Sequence, residues 1–267
     1  MNFNSLELLL LGLFAALGNV LGGLILFPSG IYAKFKPLLN YLLALGAGFM
    51  LAVIFIEILP KTVSLWQSKD ASSGGEALIV PMILILCGYL LTQFFEHTIA
   101  PHFHLGEEVH SDHIIASKTV YTAIGGLMIH TFFDGVSIAA ASVVDYKAGL
   151  LVFIAVFLHK FPEGFTIASM ILAAGKNYRQ VLLATGLVGL TTFLGVFLFL
   201  SIGQNLGITV AYALPLASGV TLYVAASDLI PEVNHHGGKH PLVSLAVFVG
   251  VALFFAVHSV IHLAMEN

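Results

Sequence analysis

Two histidine–carboxylate pairs lie inside apolar stretches of the sequence, in the runs HTFFDG at 130–135 and HKFPEG at 159–164. In each run the histidine precedes the carboxylate by four residues, so both side chains share one face of a helix, one turn apart. Two imidazoles and two carboxylates from two helices form a donor set suited to zinc and tolerable to iron, manganese or cadmium. The candidate metal ligands are His130, Asp134, His159 and Glu163.

The two runs are copies of each other at an offset of 29 residues. Histidine, phenylalanine, glycine, isoleucine and alanine recur in place, with aspartate opposite glutamate and serine opposite threonine. A single buried histidine–carboxylate pair is commonly an interhelical hydrogen bond, whereas two copies in register favour a metal site.

Three further residues of these runs are expected to modulate the site. Pro162 removes one backbone hydrogen bond and predicts a broken helix beside His159, in which the freed carbonyl of Leu158 would line an ion path. Lys160 lies about 100° around the helix from His159, and Thr131 occupies the matching position on the first helix. A lysine there would repel a second cation or exchange charge with one of the acids.

The composition specifies where these residues must be positioned. The chain has 267 residues, is 58% hydrophobic and 9% charged, and has a mean hydropathy of +0.99, which does not fit a water-soluble protein. The single cysteine, Cys87, excludes a disulfide framework, and a net charge of −4 gives nucleic acid no basic surface. The apolar pattern is continuous rather than alternating, so we expect an all-α polytopic protein in a lipid bilayer.

Eight apolar stretches are long enough to cross a bilayer as helices. They cover about 6–28, 38–60, 78–98, 119–142, 147–173, 180–203, 207–230 and 241–265. The first is predicted to be a retained helix because no lysine or arginine precedes it. We therefore expect one transmembrane domain over residues 1–267.

Lysine and arginine are enriched in the cytoplasmic loops of membrane proteins. With the N-terminus outside, six of the counted loop residues lie inside and three outside, which predicts a multi-pass protein of the cell (inner) membrane with both termini outside. The polar loop 99–118 is then cytosolic. Five of the 12 histidines lie within 97–113. This composition is typical of metal binding, and a solvated linker or a metal sensor could have the same composition.

A second internal match, at an offset of 171 residues, relates 45–60 to 216–231. These segments lie on spans two and seven, which cross in opposite directions. Weak internal symmetry of opposite topology is typical of secondary transporters, whose site lies at the repeat interface. The pattern predicts a 3+2+3 arrangement of helices with an inverted repeat.

Together, the two runs, the eight spans, the histidine-rich loop and the ending of span seven at 228–232 resemble the ZIP (Zrt-, Irt-like protein) family of divalent metal transporters, of prokaryotic type. The resemblance implies uptake of zinc or a related ion toward the cytosol by alternating access, with the central helix pair moving against spans two, three, seven and eight. It also implies that the four candidate residues are the primary ligands. Thr131 and Lys160 replace ligands of two-metal family members, and span six lacks an acid, so we predict one central metal.

Further polar residues lie near the outer and inner ends of the predicted ion pathway, given this orientation. Those predicted at the entrance are Glu57, His258 and His262. Those predicted at the exit are Glu96, His97, Asp228, Glu232, His102 and His104. The alternative is that such residues simply reach water from near the helix ends.

An intramembrane zinc hydrolase is the alternative function, since histidines and a carboxylate around an open zinc position would activate water. The sequence has no HExxH or GxSxG run, which favours a transporter that is not an enzyme and has no enzyme cofactor. The physiological metal, the driving force and the oligomeric state, a homodimer included, stay open.

Overall fold

The computed structural model describes residues 3–24, 32–69, 78–98, 117–202, 206–236 and 241–266. Within these ranges the chain is helical, without a strand, and eight helices are long and apolar enough to cross a membrane. The single-segment helices are α1 (Ser5–Leu24), α3 (Ile79–Thr98), α4 (Ser117–Val144), α5 (Tyr146–Ala173), α6 (Tyr178–Ser201) and α8 (Pro241–Glu266). The other two, α2 and α7, each contain a π-helical turn. The all-α, eight-span prediction is confirmed.

In α2 the segments are Tyr32–Ala52, the π turn Val53–Ile58 and Leu59–Lys69. In α7 they are Leu206–Tyr223, the π turn Val224–Leu229 and Ile230–His236. The two π turns occupy equivalent positions of the repeat, at the same offset of 171 residues. Each closes with the N–H of the next residue bonded five residues back, Leu59 to Ile54 and Ile230 to Ala225.

The two helices with π turns extend past the predicted spans. The spans were predicted as 38–60 and 207–230, whereas α2 runs through Pro60 to Lys69 and α7 runs through Pro231 to His236. A proline ring clashes with the carbonyl four residues earlier, here in Ile56 and Ser227, and both of those residues lie within a π turn. The wider turn accommodates the ring, so the helix does not stop.

Pro162 also lies inside a continuous helix. The break predicted beside His159 does not occur, because α5 runs from Tyr146 to Ala173 without interruption. A proline removes only one hydrogen bond, and the long flanking segments keep the helix aligned. The Pro162 carbonyl accepts a hydrogen bond from the Thr166 hydroxyl at 3.1 Å.

Small residues set the helix packing, in which α1 contacts α5 and α6, α4 contacts α5 and α6, α3 contacts α7, and α2 contacts α8. At several crossings a glycine lies against a carbonyl of the neighbouring helix, leaving no room for a Cβ atom. These crossings come in pairs related by the sequence repeats: Gly164 with Asn19 and Gly135 with Thr192, then Gly48 with Val247 and Gly219 with Ile85. The 3+2+3 inverted repeat remains our interpretation of these paired crossings.

Large apolar side chains cover the outside of the helices. On α1, for example, Leu10, Phe14 and Leu17 are exposed, and on α8 Phe248 is 71% exposed. Apolar surface of this extent on eight long helices is typical of a protein surrounded by lipid. The chain is therefore a multi-pass membrane protein.

Candidate metal centre

The four predicted ligands converge where α4 and α5 cross. One ligand atom from each of His130, Asp134, His159 and Glu163 lies within 4.8 Å of all the others, and all four side chains are buried. The pairing is crosswise between the two runs. His159 Nε2 lies 3.2 Å from Asp134 Oδ2, and His130 Nε2 lies 3.7 Å from Glu163 Oε2.

Several polar atoms of this cluster have no hydrogen-bond partner among the described residues. They are both ring nitrogens of His130, Asp134 Oδ1 and Glu163 Oε1. Buried polar atoms nearly always have a hydrogen-bond partner, and a buried polar atom without one costs about 1–3 kcal/mol of stability. A metal ion that accepts a lone pair from one ring nitrogen of His130 and from the two carboxylate oxygens would remove most of that cost, so the donor set fits a divalent cation.

The ring of His159 is oriented by its own helix. Its Nδ1 lies 3.1 Å from the Ala155 carbonyl oxygen, which can only accept, so Nδ1–H donates. The other nitrogen, Nε2, faces the cluster 3.2 Å from Asp134 Oδ2 and is the atom through which His159 would bind a metal. A hydrogen bond such as the one at Nδ1 is the usual way in which a protein fixes the tautomer of a metal-binding histidine.

Lys160 pairs with the same carboxylate oxygens that lie nearest the two histidines. Its Nζ lies 2.8 Å from Asp134 Oδ2 and 2.8 Å from Glu163 Oε2, and the side chain is fully buried. Each carboxylate thus has one oxygen paired with the ammonium and one oxygen unpartnered. The ammonium thus places a fixed positive charge between the two carboxylates.

Thr131 does not face the ligands but packs toward α6. Its hydroxyl hydrogen-bonds the Thr191 hydroxyl and donates to the Met128 carbonyl. Two more buried polar residues, Asn19 on α1 and Thr192 on α6, have side-chain atoms without a hydrogen-bond partner among the described residues. Both lie against the glycines that follow the two carboxylate ligands. No sequence pattern selects Asn19 or Thr192, because their position beside the site depends on helix packing.

A second group of polar side chains extends from His130 toward the end of α3. Glu96 Oε1 lies 3.9 Å from His130 Nδ1, and the Tyr223 hydroxyl and the Asp228 carboxylate are near enough to Glu96 to form side-chain hydrogen bonds. Tyr223 also lies 3.5 Å from His97 Nδ1. Of the predicted exit residues, the structure therefore brings Glu96, His97 and Asp228 together. The side chain of Glu232, and all of His102, His104 and most of the loop 99–118, lie outside the described residues.

The opposite side of the cluster is apolar and nearly closed. A cavity of about 20 Å³ lies one turn from Asp134, between α2, α4, α5 and α7. It has room for about one water molecule. Its polar lining consists of the hydroxyls of Ser137, Ser218 and Thr221, and the rest is aliphatic.

Beyond this cavity, charged residues meet at the link between α4 and α5, which we call the Asp145 end. Glu57 is buried in the α2 π turn, and its carboxylate lies 2.8 Å from Lys61 Nζ and 3.5 Å from His258 Nε2. Lys61 also pairs with Asp145. The structure thus joins two of the predicted entrance residues, Glu57 and His258. His262 lies one turn further along α8.

Asp145 has two structural functions at this end. It is the single residue between α4 and α5, and its carboxylate accepts a hydrogen bond from the Ala148 N–H as the N-cap of α5. Partial burial acts to raise its pKa, but the hydrogen bond and the charge of Lys61 outweigh this, so the pKa of Asp145 lies below its usual value. The sequence did not predict this pairing, because Lys61 and Asp145 are 84 residues apart.

Comparison with known proteins gives the family of this chain. A family model described as "ZIP Zinc transporter" matches residues 104–258. Zinc transporter ZIP9-B of Xenopus laevis is 25% identical over 274 aligned residues, which cover 90% of this chain and 88% of that protein. Zinc transporter ZIP4 of Homo sapiens is 36% identical over 108 residues, covering 40% of this chain and 16% of that protein.

Zinc transporter ZIP9 of Micropogonias undulatus is 28% identical over 166 residues, covering 59% of this chain and 53% of that protein. These three relatives are animal proteins, so the prokaryotic type expected from the sequence stays a prediction. The family model spans more than half of the chain and includes all four clustered side chains. The protein therefore belongs to the ZIP zinc transporter family.

Proposed function

We propose that this protein carries zinc across a membrane through the single central site. Membership of the family supports divalent metal transport, and the observation that carries the assignment of the site is the set of buried, unpartnered ligand atoms on His130, Asp134 and Glu163. Two imidazoles and two carboxylates suit zinc, and they tolerate cadmium, iron and manganese. The cation is the cargo, and no enzyme cofactor is proposed.

One ion occupies the centre at a time in this proposal. Lys160 already supplies a positive charge between Asp134 and Glu163, and a second divalent ion there would meet strong like-charge repulsion in a medium of low dielectric constant. The free oxygens, Asp134 Oδ1 and Glu163 Oε1, remain for the single ion. The lysine thus limits the charge that the site can hold.

The route runs between the two ends of the bundle. Glu57, His258 and His262 receive the ion at the Asp145 end, and Glu96, His97 and Asp228 take it from His130 at the other. Glu232, His102 and His104 extend the exit. We place the Asp145 end outside and the exit in the cytosol, with both termini outside, on the basis of the lysine and arginine distribution.

Movement of the ion requires alternating access, in which each end opens in turn. In the described arrangement Glu96 lies against the central histidine, whereas the opposite side is closed by aliphatic residues around a cavity of about 20 Å³. This asymmetry is the pattern expected of a transporter with one end closed. We propose that α4 and α5 move with the ion against α2, α3, α7 and α8.

The test is metal flux into liposomes that contain the purified full-length protein and a metal-sensitive dye. His159→Ala and Glu163→Ala should each lower zinc influx at least about tenfold, the range seen when metal-site residues are lost. Ser169→Ala is the matched control, because Ser169 lies on the same helix and bonds only the Phe165 carbonyl. Repeating the assay with cadmium, iron and manganese ranks the ions. Unchanged flux in both ligand variants would contradict the central-site assignment.

A further inference from the structure

The Asp145 end contains a second lysine that bridges two carboxylates. Lys61 pairs with Glu57 on its own helix and with Asp145 between α4 and α5, as Lys160 pairs with Asp134 and Glu163 in the centre. The two lysines differ in exposure. Lys160 is fully buried, whereas the Lys61 side chain is 26% exposed and can move into water.

We propose that Lys61 is an ionic latch that closes the Asp145 end, and that a divalent cation arriving at Glu57 and His258 opens it by repelling the ammonium away from Glu57 and Asp145. The proposal deepens the proposed function, on which it rests, by assigning Lys61 as a gating residue. His258, already 3.5 Å from Glu57, supplies an imidazole to the same group.

The position of the latch would link cation arrival to opening of the Asp145 end. Lys61 and Glu57 belong to α2, whereas Asp145 is the only residue between α4 and α5 and caps the first turn of α5. The Lys61–Asp145 pair is therefore a direct tie between α2 and the helices that carry the central ligands. Below it lies the closed cavity lined by residues of the same helices.

The charge balance at Glu57 favours replacement of the Lys61 ammonium by a divalent cation rather than binding of the cation beside it. Glu57 is only 5% exposed, and a buried carboxylate needs a compensating charge in this environment. Removing Lys61 without replacement would leave Glu57 uncompensated, so the tie persists until another cation arrives. Lys61 holds the pKa of Asp145 below its usual value, so Asp145 stays charged to a lower pH than an ordinary aspartate and its side of the pair is lost only as the pH falls through that lowered pKa.

The experiment measures the distance across the latch in the full-length protein in lipid nanodiscs. Cysteines introduced at Ser64 on α2 and at Val144 on α4, in a Cys87→Ser background, carry spin labels. Lys61→Gln and Asp145→Asn should each raise the ratio of the long-distance to the short-distance population about two- to fivefold, the shift expected for a partly exposed ion pair. The double variant should resemble either single variant, because both remove one interaction.

Lys147→Gln is the matched control, since it removes a lysine charge two residues from Asp145 but keeps the backbone N–H that bonds the Asp145 carboxylate. Zinc should raise the same ratio of long-distance to short-distance population in the protein with Lys61 intact, and should not raise it further in Lys61→Gln. The zinc response should persist in a His159→Ala background, which separates the latch from the central site. The proposal is overturned if Lys61→Gln leaves the distances unchanged, if Lys147→Gln has an equal effect, or if zinc does not widen the unsubstituted latch.

Discussion

At the level of residues, the centre combines a divalent donor set with a permanent internal cation. Each acid offers one oxygen to Lys160 and keeps the other without a partner. The net charge of the two carboxylates and the ammonium is −1, so binding of one divalent ion gives +1. A second ion would raise this to +3 in a buried site, which is why we expect a mononuclear centre.

Replacing this lysine tests its role as a built-in cation. Lys160→Gln leaves two buried carboxylates without their partner, and breaking a buried ion pair costs about 3–5 kcal/mol. We therefore expect a lower melting temperature in the absence of metal, and a larger stabilisation by zinc than in the unsubstituted protein. Thermal unfolding in detergent with and without zinc measures both effects. A variant as stable as Lys147→Gln in metal-free buffer would contradict this role.

The central ligands could be predicted from the sequence because their spacing is local. A histidine and an acid four residues apart share a helix face whatever the tertiary structure, and the duplication made the pairing of the two runs evident. The contacts of Lys61 with Asp145 and of Glu96 with His130 join residues far apart in sequence. Those contacts depend on how far one helix is displaced along another. The hydrophobic periodicity of a sequence does not reveal that displacement.

At the level of helices, the site depends on close crossings. Gly164 follows the ligand Glu163, and a Cβ atom there would collide with the backbone carbonyl of Asn19 on α1. The equivalent crossing, Gly135 with Thr192, holds α4 against α6. Because both clashes are with backbone rather than with a flexible side chain, the neighbouring helix would have to move.

Two glycine substitutions should therefore change the stability of the protein in opposite directions. Gly164→Ala should destabilise the protein by about 1–3 kcal/mol through overpacking and lower zinc flux, because it displaces Glu163. Gly186→Ala on α6, where a Cβ atom meets nothing within 4 Å, should stabilise it by up to about 1 kcal/mol through helix propensity. Melting temperatures in detergent compare them. Equal changes for both variants would rule out the crossing as the cause.

The two helices with π turns run past the predicted spans, through the prolines that follow those turns. Hydropathy detects an apolar stretch and a proline signals a stop, but neither reports a hydrogen-bond pattern five residues wide. The repeat nevertheless indicated that whatever happened at Glu57 would recur at Asp228. Both acids lie within π turns, which are frequent at functional sites.

At the level of the whole molecule, the two halves of the route are unlike each other despite the paired crossings. One side of the centre is polar, with Glu96, Tyr223 and Asp228 near His130, and the other is aliphatic and ends in the Lys61 latch. We infer that the repeat supplies two similar arrangements of the same helices, of which one is closed at the Asp145 end. Sequence symmetry indicated the architecture, but which side is closed depends on packing.

The most direct test of the account is to locate the ion by anomalous diffraction at the zinc edge, using crystals of the zinc-loaded full-length protein. We predict one central peak, about 2.0–2.2 Å from nitrogen or oxygen atoms of His130, Asp134, His159 and Glu163, with Lys160 still between the two carboxylates. Two central peaks, or none within reach of these four residues, would contradict a single-metal centre built from the two repeated runs.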